Sequence, residues 1–258
     1  GGGWVVWLGW LLGLPEMRIK EGALRVVRFS RFYGVYGGGR PDQQALQAIR
    51  SGVALVDVLS VERIWMERRR ILVGPKVAVI LQLMDDTGVL ARILPEGHTL
   101  ERCVRLLGNG APDSALLRLA GLSTHGAAVA RRLKLSRAEA GLLGAFCKPA
   151  PVPEVGMSAH ALRSLVAEEP HEVLEGRIWL RQAAEPRTAE ENAAFEQLRL
   201  RLRDIDVPVF PVAGRDVLAM GGQAGPEVGR ICSLYTSDAA ADLLLFVFSG
   251  LRPPNTNI

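Results

Sequence analysis

The sequence predicts an all-α, elongated chain, and three observations carry that expectation. Apolar residues recur at three- and four-residue spacing in one segment after another, as one buried face of an α-helix requires. Glycine and proline pairs interrupt these segments at short intervals. No alternation of strand-like and helix-like runs occurs, which argues against a Rossmann-type sheet. Paired helices could stack as a solenoid, but no fixed period supports a repeat family.

The first helix is expected over residues 17–35, closed by Gly37-Gly38-Gly39. Within it, Arg18, Glu21, Arg25 and Arg28 share about a quarter of the helix circumference. Ile19, Ala23, Val26, Val27 and Tyr33 form the opposite, apolar stripe, and Phe29 and Phe32 edge the polar face. Guanidinium forks flanked by aromatic rings suit phosphates and bases. Pro41 and Asp42 open a short second helix that ends near Ser51-Gly52. Ser60 is an N-cap for a third helix, Val61 to Leu72, with Glu62 near its positive end. Gly74-Pro75 breaks the chain, and Lys76 to Thr87 forms a fourth helix closed by Gly88.

Leu94-Pro95 marks another turn, after which helices are expected over 98–107, 113–121, 124–134 and 136–147. Pro149, Pro151 and Pro153 make Cys147 to Gly156 the best linker candidate. Helices are then expected near 158–168, 170–184 and 188–203, with Thr188 and Glu191 spaced as a capping box.

The bulk composition is that of a folded protein. The chain has 258 residues, 48% hydrophobic and 22% charged, enough for one large or two small domains with a real core. A net charge of +4 permits a polyanionic partner without requiring one. Arginine supplies most of the positive charge, which fits either phosphate recognition or a coding bias. Cys103, Cys147 and Cys232 are odd in number and far apart, so neither a disulfide framework nor a zinc spacing follows, and a cytoplasmic setting is expected. His98, His125, His160 and His171 are scattered, and no metal site is expected from them.

The apolar run over residues 4–14 is too short to span a bilayer and lacks a basic flank, so no membrane association is expected. Residues 1–15 read as a truncated or garbled lead-in. From Ser233 on, the sequence reads as non-native read-through.

Candidate chemistry concentrates near the start. Glu21 and Arg25 stand at i, i+4, either a surface ion pair or a carboxylate that holds the guanidinium rigid for a base edge. Arg63 and Glu67 repeat the spacing with the cation first, against the macrodipole preference. Arg68, Arg69 and Arg70 are either a solvated run or a phosphate contact. Asp204-Ile-Asp206 could bracket a magnesium ion, but Pro208 follows at once and an ordinary helix end is expected; Asp85-Asp86 reads the same way. No Walker loop, G-x-S-x-G elbow or hydrolase His–Asp pair occurs.

Four ordered segments resemble bacterial tRNA nucleotidyltransferases (CCA-adding enzymes) and poly(A) polymerases. They are Arg18-Ile-x-Glu-x-x-Leu-Arg25-Val-Val-Arg28-Phe-x-Arg-Phe32, Ser60-x-Glu-Arg63-Ile-x-x-Glu67-x-x-x-Ile-Leu72, Leu83-Met-Asp-Asp-Thr-Gly-Val-Leu-Ala-Arg-Ile-Leu-Pro95, and Phe210-Pro-Val-x-Gly214-Arg-Asp216-Val-Leu with Gly225-Pro-Glu-Val-Gly229-Arg. The resemblance implies a neck over 16–95, a helical body over 96–148 and a helical tail over 149–232. Residues 1–15 would then be a remnant of the catalytic head, and 233–258 read-through.

In that family the neck motif Glu-Asp-x-x-Arg reads the base of the incoming CTP or ATP, and the head carries Gly-Ser and Asp-x-Asp with magnesium. Glu21 matches the motif's Glu and Arg25 its Arg, while Gly22 stands where the Asp belongs. A carboxylate acceptor for an exocyclic amine is thereby lost, which leaves CCA addition and poly(A) synthesis both open. Arg63 and Glu67 match the second neck motif, implying nucleotide-binding support, and Arg18, Arg28 and Arg31 are the candidate RNA-phosphate contacts. The expected partners are tRNA or another RNA and a nucleoside triphosphate, with no DNA. Without the head's carboxylates the chain is expected to be inactive by itself. The rival expectations are a non-catalytic RNA-binding helical module and a protein-binding helical scaffold.

Overall fold

The computed structural model describes residues 43–53, 61–74, 76–149 and 151–207. All described elements are helical, and no strand occurs among the described residues. The expected helix at 17–35, the segment from Phe210 to Arg230 and both ends lie outside them.

The helices are α1 (Gln43–Gly52), α2 (Val61–Val73), α3 (Val77–Asp86), α4 (Val89–Ile93), α5 (Leu100–Gly108), α6 (Ala115–Leu122), α7 (Gly126–Arg132), α8 (Arg137–Cys147), α9 (Ala159–Glu168), α10 (His171–Gln182) and α11 (Ala189–Arg203). Two units emerge. One holds the described residues up to Pro149 with Trp179–Thr188, and the other holds those between 151 and Ile178 with those from Ala189 on.

Local chemistry sets the boundaries. Gly88 has φ 77, a left-handed conformation that costs glycine nothing, and it ends α3 and starts α4. The five-residue helix α4 is not among the expected helices: the spacing expects the fourth to close at Gly88 and only a turn at Leu94-Pro95. Ser114 accepts a hydrogen bond from the Leu117 backbone N–H at 3.3 Å, and Ser158 from that of Ala161 at 3.2 Å. Ser136 and Glu139 form a full capping box on α8. Pro170, free to lack an N–H, opens α10 by accepting from Val173 and Leu174 at 3.0 and 3.1 Å.

The first unit's core includes Ile71, Ile80, Met84, Leu106, Leu119 and Leu143, all 1% exposed or less. α7 and α8 pack tightly because Gly126 has no side chain: a β-carbon there would sit 2.8 Å from Cys147 Sγ. The second unit closes around Leu162, Leu174, Ile178, Phe195, Leu198 and Leu202.

Buried arginines hold elements that apolar contact alone would leave free to slide. In the first unit Arg118 of α6 is 5% exposed and donates to the Leu72 carbonyl, near the end of α2, and to the Asp113 carboxylate. It thus satisfies a carbonyl that a helix C-terminus leaves without an intrahelical donor. The half-buried Arg105 of α5 serves the end of α10 in the same way, donating to Ala183 O at 2.8 Å and Ala184 O at 2.9 Å. In the second unit Arg177 donates to Pro151 O at 2.7 Å and pairs with Glu169 at 3.0 Å.

Arg118→Met is expected to lower stability by about 2–4 kcal/mol, because it strands the Leu72 carbonyl and leaves Asp113 without its cation. The Asp113 side chain is 78% exposed, so Asp113→Asn is expected to cost less than about 1 kcal/mol. Urea unfolding of the two variants beside the parent chain checks both values.

Candidate nucleic-acid interface

The apolar positions Trp65, Ile71 and Leu72 of α2 are buried. Met66, Arg69, Arg70 and Val73, spaced at i, i+3, i+4 and i+7, are exposed on one face. This face combines two guanidinium groups with two apolar side chains.

A single carboxylate secures it. Glu139, near the start of α8, accepts from the Trp65 indole Nε1–H at 3.2 Å and lies 3.8 Å from the Arg69 guanidinium. It also accepts from the Ser136 backbone N–H at 3.0 Å and from the Ser136 hydroxyl at 2.8 Å. One side chain therefore caps α8 and fixes α2 against it. Partial burial by itself would raise the Glu139 carboxyl, but the Ser136 and Trp65 hydrogen bonds and the Arg69 charge outweigh it. The net shift is below the ordinary glutamate value.

Other polar groups near α2 are already engaged. Arg50 of α1 donates to Asp86 O at 3.4 Å. His98 Nε2 lies 2.7 Å from Asp85 Oδ1, so Asp85 takes part in a pair between the end of α3 and the loop before α5. Cys103 is fully buried; burial pushes its thiol up to about 12, against the Arg118 and Arg102 charges. Burial also raises the Cys147 thiol, against the Gly126 N–H and Arg102. Neither thiol is activated as a nucleophile. Among the described residues no group of three or more His, Cys, Asp or Glu side chains could hold a metal ion. An apolar cavity of about 20 Å³, lined in part by Ile71, Met84 and Leu119, is far too small for a nucleotide. Among the described residues no helix is long and apolar enough to cross a membrane.

Of the sequence-predicted site residues, Arg63 and Glu67 stand one turn apart on α2. Arg18, Glu21, Arg25, Arg28 and Arg31 lie outside the described residues. Sequence reasoning missed Trp65, Arg118 and Glu139. Ser136-x-x-Glu139 is itself a capping-box signature that could have singled out Glu139. Its second role, toward α2, has no local signal.

With this geometry in view, comparisons with known proteins become informative. Residues 40–100, from α1 through α4, match a family described as the probable RNA and SrmB- binding site of polymerase A. The mouse (Mus musculus) protein named CCA tRNA nucleotidyltransferase 1, mitochondrial, is 30% identical over 235 residues, covering 85% of this chain and 52% of that protein. The zebrafish (Danio rerio) protein of the same name is 27% identical over 238 residues, with the same coverage. A CCA-adding enzyme of Geobacillus stearothermophilus is 40% identical over 96 residues, 37% of this chain and 23% of that protein. A solved complex of CCA-adding enzyme with ATP shares the fold at a TM-score of 0.57 and 15% identity, covering 90% of this chain and 61% of that one.

The class is thus an all-α fold shared with part of the CCA-adding enzymes. The chain is a relative of the CCA-adding enzymes and poly(A) polymerases. It spans about half the length of the mouse and zebrafish relatives.

The lowered Glu139 carboxyl has a pH signature. Its contribution to stability is complete above the ordinary glutamate value of about 4.3 and fades as pH falls through the lowered folded value. Glu139→Gln is expected to destabilise the chain at neutral pH and to lose that part of the acid-side decline. Thermal midpoints of both proteins between pH 3 and 7 measure the difference.

Proposed function

We propose that this chain is the neck, body and tail portion of a tRNA nucleotidyltransferase that adds CCA to tRNA 3′ ends, and that it supplies RNA binding and nucleotide selection. The observation that carries this reading is the match of residues 40–100 to an RNA-binding region, on helices whose α2 exposes Arg69 and Arg70. The parent reaction is attack of an RNA 3′-hydroxyl on the α-phosphate of ATP or CTP, with release of pyrophosphate. Arg25 donates to the base edge, Glu21 orients Arg25, and Arg63 with Glu67 braces the pocket. Arg18, Arg28 and Arg31 contact RNA phosphates. The neck runs over 16–95, the body over 96–148 and the tail over 149–232, in a cytoplasmic setting. A poly(A) polymerase portion is the alternative, left open by Gly22 at the position where the neck motif carries an Asp.

Magnesium, implied for the parent enzyme, does not fit the described carboxylates. Asp204 and Asp206 are both exposed just past the end of α11, and no third ligand joins them among the described residues. No step of the reaction is assigned to these residues, and the 258-residue chain by itself is proposed to bind RNA without extending it.

Binding of a tRNA lacking its 3′ end is expected to weaken steeply between 50 and 200 mM salt, and metal-dependent CTP incorporation by this chain is expected to be absent. Turnover above background would contradict the second expectation. Arg25→Ala is expected to reduce discrimination between CTP and GTP binding by about 1–3 kcal/mol, the worth of a bidentate base contact. Equilibrium competition with labelled CTP measures it.

A further inference from the structure

Glu139 divides its two carboxylate oxygens between two helices. Oε2 accepts from the Ser136 backbone N–H at 3.0 Å and from the Ser136 hydroxyl at 2.8 Å, which caps α8. Oε1 accepts from the Trp65 indole at 3.2 Å and lies 3.8 Å from the Arg69 guanidinium of α2. Trp65 and Arg69 are one helical turn apart, so a single oxygen reaches both. The carboxylate is therefore held from the α8 side independently of what it does for α2.

Folding alone gives little reason for this arrangement. Trp65 is 7% exposed, and a phenylalanine or leucine in its place would fill the core without needing an acceptor. An indole N–H in the core needs a partner, and the partner here is a charge whose own side chain is only 24% exposed, so desolvation offsets much of what the bond contributes. What the bond supplies is direction. The apolar contacts of Trp65, Ile71 and Leu72 hold α2 in the core without fixing its rotation about its own axis. Arg118 fixes the end of α2 at the Leu72 carbonyl, and Glu139 fixes the helix about two turns earlier. Arg69 stands at the border between the buried side of α2 and the exposed face of Met66, Arg70 and Val73, with its side chain 63% exposed. Any rotation of α2 moves that border.

We propose that Glu139 is a positioning residue for RNA binding by α2: it sets the rotation of the helix, and with it the presentation of Arg69 and Arg70, without touching RNA itself. This rests on the reading above that α2 binds RNA, and it places a determinant of that binding outside residues 40–100, the matched RNA-binding segment. An amide at position 139 would offer one accepting oxygen and one donating nitrogen, and so could serve the α8 cap or the indole but not both.

The test is fluorescence anisotropy of a labelled RNA hairpin titrated with the full chain at several salt concentrations, below the melting temperature of every variant. Glu139→Gln removes a negative charge beside two arginines, so charge alone would tighten RNA binding and steepen its salt dependence. The positioning role has the opposite sign: affinity is expected to fall by roughly three- to tenfold, with no steepening of the salt slope. Trp65→Phe, which removes the indole donor and no charge, is expected to weaken binding by a similar factor, and the two changes together by no more than the larger of them. Ser136→Ala weakens the α8 cap and leaves the Trp65 bond, so it is expected to lower the melting temperature while RNA affinity stays within about twofold. A Glu139→Gln chain that binds the hairpin as tightly as the parent or more tightly would overturn the proposal and leave the RNA-binding reading intact. Trp65→Phe with unchanged affinity, or Ser136→Ala with the same loss as Glu139→Gln, would also overturn it. Failure of the parent chain to bind any RNA would overturn both.

Discussion

A buried guanidinium cannot remain in an apolar core unless acceptors surround it, and Arg118 meets that condition by reaching across to α2. The Leu72 carbonyl and the Asp113 carboxylate are its acceptors. Because the bond to Leu72 is directional, α6 is fixed in register against the end of α2 rather than merely pressed against it. Residues 40–100 form a recognisable family segment, yet their helix α2 is completed by side chains from beyond that boundary: Arg118 at one end and Glu139 along its length. The exposed arginines of α2 inherit their placement from these two contacts.

Much of the helical succession was legible because its punctuation is local. Gly88 announces a left-handed helix end, and Pro170 and the caps at Ser114, Ser136 and Ser158 sit where helices start. The helix α4 was not legible, since five residues between Gly88 and the Leu94-Pro95 turn are too few for an apolar period to show. The buried arginines were invisible for a different reason. Charge in a sequence reads as surface, and whether Arg118, Arg177 or Arg199 is desolvated depends on carbonyls and carboxylates that only the folded chain brings to them. Trp65 and Glu139 are 74 positions apart, and no periodicity links them. Glu21 and Arg25, proposed to read the nucleotide base, were singled out by spacing and by resemblance to a family motif, and their assignment rests there.

The proposed RNA binding depends on how the chain distributes its cations. Arg118, Arg177 and Arg199 are buried, and they spend donors on carbonyls and carboxylates within the fold. Arg69 and Arg70 are exposed on one face of α2, and Arg69 is held beside Glu139 of the same unit. A helical arm that grips RNA through phosphates needs this combination of rigid backbone and solvent-facing charge.

The most direct measurement is amide hydrogen exchange along the chain with and without a saturating RNA hairpin. RNA is predicted to slow exchange in α2, above the protection that helix shows alone. Exchange in α2 that stays unchanged while the hairpin is demonstrably bound would contradict the account.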